Sequence, residues 1–585
     1  METTWDLSVI YQGFDDPALA ADLEKLATMS ESGMAILQKD GDAQTKLLEM
    51  LAHLEAYTNM IQRTYMYCEL SMATDAEDQQ AFQMLERVST LSVDFEVFVS
   101  ACKRYIGSVE NLKAIIAQTP ELKKNDFALL EAGEQASHMM DESMERWMLR
   151  MSLSGGDSFS KLRDQLIGTL TVEMDGESYP LPAIRGMAYD PDPVVRKKAY
   201  EAEMAAYKKI ALPMAFCLGG IKGEALTMCE AKHYPDILTQ QLAEARMDHE
   251  TLDAMWSAIR EALPDFRRYL KAKAKLLGHK GGLPFYDLFA PVGKSTKKYT
   301  IEEARDLIID TFNKVHPKMA AFMAHAFDNR WIDVYPKQGK TGGAFCSDNH
   351  ELQISRVLTN FMGSFSDVST LAHELGHAWH GECSCKYPLL MTQYPMPLAE
   401  TASTFNETML AQTVLETADE EMAFSILEGS LMEDTQCMVD IYSRFLFETA
   451  VFEARKTHTP SPDELRKMTI DAQKETYGDG LDPEVLHPDM WINKCHYYMV
   501  GLHFYNFPYA FGLLFGLSVY QKFKQEGPSF MPKYDEFLGA CGSDTIANVA
   551  KTIGIDVRSI DTWRTALDVF RGEIDTFVKL VDQRS

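Results

Sequence analysis

The sequence predicts a mainly α-helical fold with a minor sheet, on three observations. Apolar residues recur at spacings of three and four from about residue 15 to 150, the same period returns from 190 to 276 and from 366 to the end, and only two short stretches break it. Residues 15 to 150 read as long helices. Asp15 and Asp16 precede the run beginning Pro17-Ala-Leu-Ala, where a carboxylate can accept from the free N–H groups of a first turn, and Met60 to Thr74 keeps its apolar positions on one face. The first break, near 168–181, alternates at period two around Asp175-Gly176, a pair suited to a tight β-hairpin turn. Helix resumes after Asp190-Pro-Asp-Pro193, a Pro-rich stretch that predicts a lobe boundary near residue 190. This divides an N-terminal helical lobe, 1–190, from a catalytic domain, 191–585. The second break lies between Trp331 and Phe365, where turn formers give way to β-branched and aromatic residues. Two or three strands are expected there.

With 585 residues and 46% hydrophobic composition the chain can enclose a deep cleft between helical lobes. A formal net charge of −29 repels phosphate backbones and anionic lipid, so no nucleic-acid or membrane partner is expected. The first residues show neither a basic segment nor an apolar one of the export type. The most apolar stretch, Phe507 to Tyr520, is shorter than a bilayer span and contains Pro508, Gly512 and Gly516, which reads as a core or cleft helix. Ten cysteines, among them Cys68, Cys102 and Cys437 in apolar helical patterns, fit reduced thiols and a cytoplasmic location.

The chemistry concentrates at His373-Glu374-Leu375-Gly376-His377. Residues four apart on a helix share one face about 6 Å apart along the axis, so the two imidazoles can meet one metal ion. Ser366 and Asp367 supply helix-start signals ahead of the run Val368 to His380. A tetrahedral zinc site in an enzyme needs a third protein ligand, an open position, and a base to accept a proton from water; Glu374 fits the base. The chain turns through Pro388 and Pro395 into a second helix with Glu400 at its start and Glu407 two turns on. Glu400 is the expected third ligand and Glu407 a partner for a ligand imidazole, with one zinc ion per chain. Cys383 and Cys385 lie nearby, but a thiolate pair would close the coordination sphere.

At these residues the sequence resembles the thimet-oligopeptidase and oligoendopeptidase F family of zinc peptidases, and most closely its bacterial oligoendopeptidase F branch. The likeness runs nearly end to end. It includes WDLSVIYQGFDDP at the start, DPDPVVRKKAYEAE near 190, GGAFCS at 342–347, GSFSDVSTLAHELGHAWH, AETASTFNE, HYYMVGLHFYNFPYAFG and GACGSDTIANVAKTIGID. The resemblance implies a clam-like or saddle-shaped helical enzyme whose deep channel admits short peptides, with His373, His377 and Glu400 as zinc ligands and Glu374 as base. It also matches His496 to a motif histidine, followed by Tyr505 and by Tyr509 in the FPY turn. Tyr509 is the expected donor to the developing oxyanion, with His496 and Tyr505 positioning substrate carbonyls. Where branches of the family carry further tyrosines, this chain has Phe511 and Leu513. His503 has no clear counterpart and reads as local packing.

The leading expectation is therefore an endopeptidase acting on short peptides. An exopeptidase, above all a carboxypeptidase, and a noncatalytic peptide carrier stay open, as does assembly into a homo-oligomer. The segment Glu351 to Asn360, just before the zinc helix, is expected to form an edge strand along which substrate lies extended.

Overall fold

The computed structural model describes residues 2–293 and 297–584. Among the described residues helices dominate, and five short strands form two small sheets. The chain packs as two units: Met1–Met139, Lys297–Val414 and Val519–Ile555 make the first, and Met140–Thr296, Leu415–Ser518 and Asp556–Ser585 the second. The boundary expected near residue 190 thus falls inside the second unit. The Pro-rich stretch there begins a helix rather than a domain, because Pro193 occupies the first helical turn and Asp192 caps it by accepting from Val194 N at 2.8 Å.

In the first unit, helices Pro17–Gln38, Ala43–Thr74 and Gln79–Ser108 pack together, each begun by an aspartate whose side chain accepts from first-turn N–H groups: Asp16, Asp42 and Asp78. Their shared core contains Leu19, Leu23, Leu47, Met50, Tyr57 and Phe98, all fully buried. Each such side chain contributes about 1.5–3 kcal/mol of transfer free energy. The same cluster takes in Leu358, with Phe345 and Ile354 packed against it, so the bundle supports a sheet.

That sheet holds β3 (Ile332–Asp333), β4 (Phe345–Asn349) and β5 (Ile354–Leu358) in the order β3-β5-β4. β4 runs antiparallel to β5, pairing Phe345 with Leu358 through Asn349 with Ile354, while β3 pairs in parallel with Val357 and Leu358. β5 is therefore the central strand, and the expectation of an edge strand over 351–360 is corrected: the sheet ends on β4 and on the two-residue β3. The burial of β5 explains the difference, since Ser355 to Leu358 are all buried, the run expected of a strand flanked on both edges. Both β4 and β5 pack on the helix Phe365–Ser384, which carries the His-Glu-x-x-His residues.

The second unit contains the predicted hairpin, β1 (Thr171–Met174) and β2 (Glu177–Pro180), closed by Asp175 and Gly176 at φ 54° and 86°. Two consecutive positive φ values match the twist that a two-residue hairpin requires. The hairpin packs on the 39-residue helix Pro193–Ala231, about 58 Å long at 1.5 Å per residue. This helix is long and apolar enough to cross a bilayer by length and composition alone, yet it is the spine of a core and carries buried Arg196, Glu203 and Lys222. Helix His249–Leu276 pairs with Ile560–Arg584. The Phe507–Glu526 helix is a core helix as predicted, with Phe511, Leu514 and Phe515 inaccessible.

Candidate functional site

The helix Phe365–Ser384 starts with a reciprocal cap: Ser364 Oγ accepts from Asp367 N at 3.1 Å, and the Asp367 carboxylate accepts from Ser364 N at 2.8 Å. Gly363 precedes it at φ 87°, and a side chain there would stand 2.7 Å from Tyr299 O. Trp379 Nε1 donates to Asp535 at 3.2 Å and His380 Nε2 lies 3.1 Å from Leu538 O, which fixes the helix against Met531–Ala540. Its rotation is thereby set, and with it the direction of His373 and His377.

The second contribution comes from Glu400, whose carbonyl accepts from Thr404 N at 3.0 Å and so begins the helix Thr401–Leu415. The two helices touch at Gly376. A Cβ there would stand 2.7 Å from Ala402 O and 2.8 Å from Ser403 Cα, so only glycine lets the second backbone come this close. Buried Asn406 donates to Ala372 O at 3.0 Å and secures the contact.

The result is a triangle of ligand atoms. His373 Nε2 and His377 Nε2 are 3.1 Å apart, and Glu400 Oε2 is 3.3 Å from the first and 3.4 Å from the second. Ligands about 2.0–2.1 Å from a tetrahedral metal ion stand about 3.3–3.4 Å from one another, so the triangle has the size of one face of that tetrahedron. Among the described residues, this is the group of His, Cys, Asp or Glu side chains close enough to hold a metal. Cys383, buried, and Cys385 lie outside it.

The electrostatics agree with the geometry. Burial alone would favour neutral His373, but the Glu400 and Glu407 carboxylates outweigh it and push its pKa up to about 10. Burial likewise opposes ionised Glu400, yet the two imidazoles hold it far below the carboxylate range. The donor set therefore attracts positive charge to this point, and two imidazole nitrogens facing each other at 3.1 Å need a cation or a proton between them. Glu407 Oε2 lies 3.4 Å from His373 Nδ1, the position of a partner that orients a ligand ring.

Glu374 is 5% exposed, and its Oε2 has no hydrogen-bond partner. Its pKa is raised by burial, which the neighbouring imidazoles only partly offset. A buried carboxylate oxygen left unpaired beside a metal-ligand set is suited to accept a proton during reaction. Asp348 on β4 is an anionic neighbour of His377 that sequence reading missed. Its side chain is open to solvent on one side, yet desolvation by the surrounding cleft pushes its pKa up to about 6, and it borders a cavity of about 240 Å³ shared with His350, Glu382, Cys385 and Tyr394. The signal for it was its place directly after GGAFCS, which strand periodicity alone does not single out.

His496, Tyr505 and Tyr509 belong to the second unit, where the structure brings them together. The His496 and Tyr505 rings stack at 5.2 Å with planes 27° apart; Tyr509 stands edge-on to both, at 6.1 Å and 5.6 Å. Gly501 at φ 77° and Phe504 at φ 51° turn the chain back so that Tyr505 returns onto His496. Burial, then Arg444 and Lys494, lower the His496 pKa and favour its neutral ring. His503 is packing, as expected: it is 5% exposed, 3.2 Å from Lys222 Nζ and edge-on to Phe452.

A capped helix carrying His-Glu-x-x-His, closed by a carboxylate from a second helix, defines a metallopeptidase type of site. The chain belongs to peptidase family M3, whose model matches residues 186–569. It is 24% identical to oligopeptidase PepF of Bacillus subtilis, covering 99% of this chain and 87% of that protein. It is likewise 24% identical to an oligoendopeptidase F homolog of Lactococcus lactis, covering 99% and 97%. A crystal structure of a peptidase from Chlamydophila abortus superposes with a TM-score of 0.87 at 24% identity, over 99% of this chain and 98% of that one. Oligoendopeptidase F from Enterococcus faecium superposes at 0.70 with 18% identity, over 97% and 98%. At these identities the superpositions speak for the fold.

Proposed function

We propose that this chain is a zinc-dependent oligoendopeptidase that hydrolyses internal bonds of short, unfolded peptides. The observation that carries the reading is the triangle of His373, His377 and Glu400, sized for a tetrahedral ion, with unpaired Glu374 beside it. Zinc, when bound, supplies a Lewis acid that polarises the scissile carbonyl and lowers the pKa of water. His373, His377 and Glu400 would hold it, and Glu407 keeps the His373 ring turned toward it. Glu374 accepts the proton of the attacking water and returns it to the leaving amine as the C–N bond breaks. Tyr509 donates its hydroxyl to the carbonyl oxygen as negative charge grows there, with His496 and Tyr505 orienting the peptide; the tight grouping of the three rings and the family resemblance support this.

Substrate would lie extended along β4, the longer of the two terminal strands of its sheet, whose main-chain groups bind without regard to side chain. Ten cysteines, none of them in a disulfide, support a reducing, cytoplasmic setting. Mass spectrometry of a peptide library digested with and without chelator tests the reading. Internal cleavage of short peptides that stops on chelation is expected, and a stable folded protein should survive the same treatment. Release of single terminal residues only would favour an exopeptidase. Peptide binding without new termini would favour a carrier.

A further inference from the structure

In the second unit the helix Glu420–Thr435 does not pass directly into Ile441–Arg455; between them Gln436–Asp440 forms a π-turn. Such an insertion costs regular hydrogen bonding and recurs at functional sites. Here it ends on Asp440, 7% exposed, whose carboxylate collects donors from three other places in the chain. Oδ2 accepts from Arg444 Nε at 2.7 Å and from Lys494 Nζ at 3.1 Å, and Oδ1 accepts from Tyr477 Oη at 3.3 Å. Arg444 then reaches on, donating from Nη1 to the buried amide oxygen of Asn506 at 3.2 Å.

The two ends of this network flank the aromatic group. Lys494 lies two residues before His496, and its carbonyl accepts from Tyr497 N at 3.2 Å, holding the short turn that presents the imidazole. Asn506 directly follows Tyr505, and its carbonyl accepts from Tyr509 N at 3.2 Å, starting the helix on which Tyr509 sits. One carboxylate thus ties together both chain segments that carry the three rings. The strained link between them, with Phe504 left-handed, needs such an anchor to hold a single arrangement.

A purely structural reading is that Asp440 only neutralises two half-buried cations, Arg444 and Lys494. One anion facing Arg444 and Lys494 leaves the cluster with excess positive charge, however, and even partial burial of such an excess is unfavourable unless the geometry serves something else. The charge also falls beside His496, where it disfavours the imidazolium and supports a neutral ring able to hydrogen-bond substrate.

We propose that Asp440, with Arg444 and Lys494, is a positioning device for His496, Tyr505 and Tyr509, holding the three rings in the arrangement that meets the peptide. The proposal rests on the reading that these rings act on substrate.

The test is a double-mutant cycle on the full-length, metal-loaded protein with an internally quenched peptide, reading kcat and KM separately. Asp440→Asn should lower kcat roughly 10- to 100-fold with little change in KM, as misplacement of a transition-state donor does. In a Tyr509→Phe background the same substitution should cost clearly less than in the unsubstituted protein, because one of the three groups it positions is already gone. Arg444→Lys should recover part of what Arg444→Gln loses. Should Asp440→Asn not fold, Lys494→Gln, which removes one arm and keeps the carboxylate paired with Arg444, carries the same cycle. Losses that multiply in the two backgrounds, or unchanged kcat in Asp440→Asn, overturn the proposal while leaving the functional reading intact. Unchanged turnover in Tyr509→Phe, Tyr505→Phe and His496→Gln alike would overturn the reading itself and the proposal with it.

Discussion

The candidate metal site of the first unit and the charge network of the second are built by opposite routes. At that candidate site, both imidazoles and Glu374 come from five consecutive residues of one helix, and Glu400 begins the helix Thr401–Leu415. In the second unit, Asp440 and Arg444 stand one helical turn apart, whereas Tyr477, Lys494 and Asn506 come from elsewhere in the chain and join them through part-buried and buried hydrogen bonds. A site encoded on one helix tolerates change elsewhere, because helix geometry sets its ligand spacing. A site assembled from distant segments depends on every buried partner, since an orphaned charge in a core costs several kcal/mol. The two regions should therefore respond differently to substitution.

The largest effect should come from Glu374→Gln, which removes a base but no ligand. Turnover should fall roughly 10²- to 10⁴-fold with metal content unchanged, checked by metal analysis and a peptide assay on the same preparation. Near-normal activity in that variant would break the view that the helix carries the chemistry.

Lys222→Met probes the opposite case. Lys222 is fully buried against Glu448 at 2.5 Å, and its loss strands that carboxylate in the core. Denaturant unfolding should show a loss of about 3–5 kcal/mol, and Lys222→Met with Glu448→Leu should regain most of it. A stable single variant would show that the second unit does not depend on its buried pairs.

Gly376→Ala sharpens the comparison from the first unit's side. The added methyl meets Ala402 O and Ser403 Cα, both backbone, so one helix must shift. Stability should drop by about 1–3 kcal/mol, and metal affinity should fall as Glu400 is carried away from the imidazoles. Intact metal affinity would mean that Glu400 is held by something other than this crossing.

Glu407→Ala should have the smallest effect. It removes the partner of His373 Nδ1 while leaving all three ligands, so metal affinity should fall about tenfold with the fold unchanged. Competition with a chromogenic chelator measures it.

The helical class, the Asp175-Gly176 hairpin and the placement of His373, Glu374, His377 and Glu400 were legible in the sequence. Each rests on a short-range rule: side-chain period, turn conformation, or spacing along a helix. The edge-strand assignment of 351–360 failed because composition reports that a segment is a strand but not which strands flank it; Ser355 and Arg356, polar in sequence, are buried in the middle of the sheet. The division at 190 failed for a related reason. The chain passes between units more than once, and Pro193 marks a helix start that local reading cannot tell from a domain start.

By itself, then, the sequence determined that this protein is helical, that one helix presents two imidazoles and a carboxylate on one side, and that a second helix brings a further carboxylate. Tertiary structure alone decided that Gly376 sets the distance between those helices, that β4 rather than β5 ends the sheet, and that Asp440 gathers the supports of His496, Tyr505 and Tyr509. The reason is range: helix geometry acts over four residues, whereas a backbone contact, a strand neighbour or a buried ion pair joins residues whose separation along the chain carries no signal.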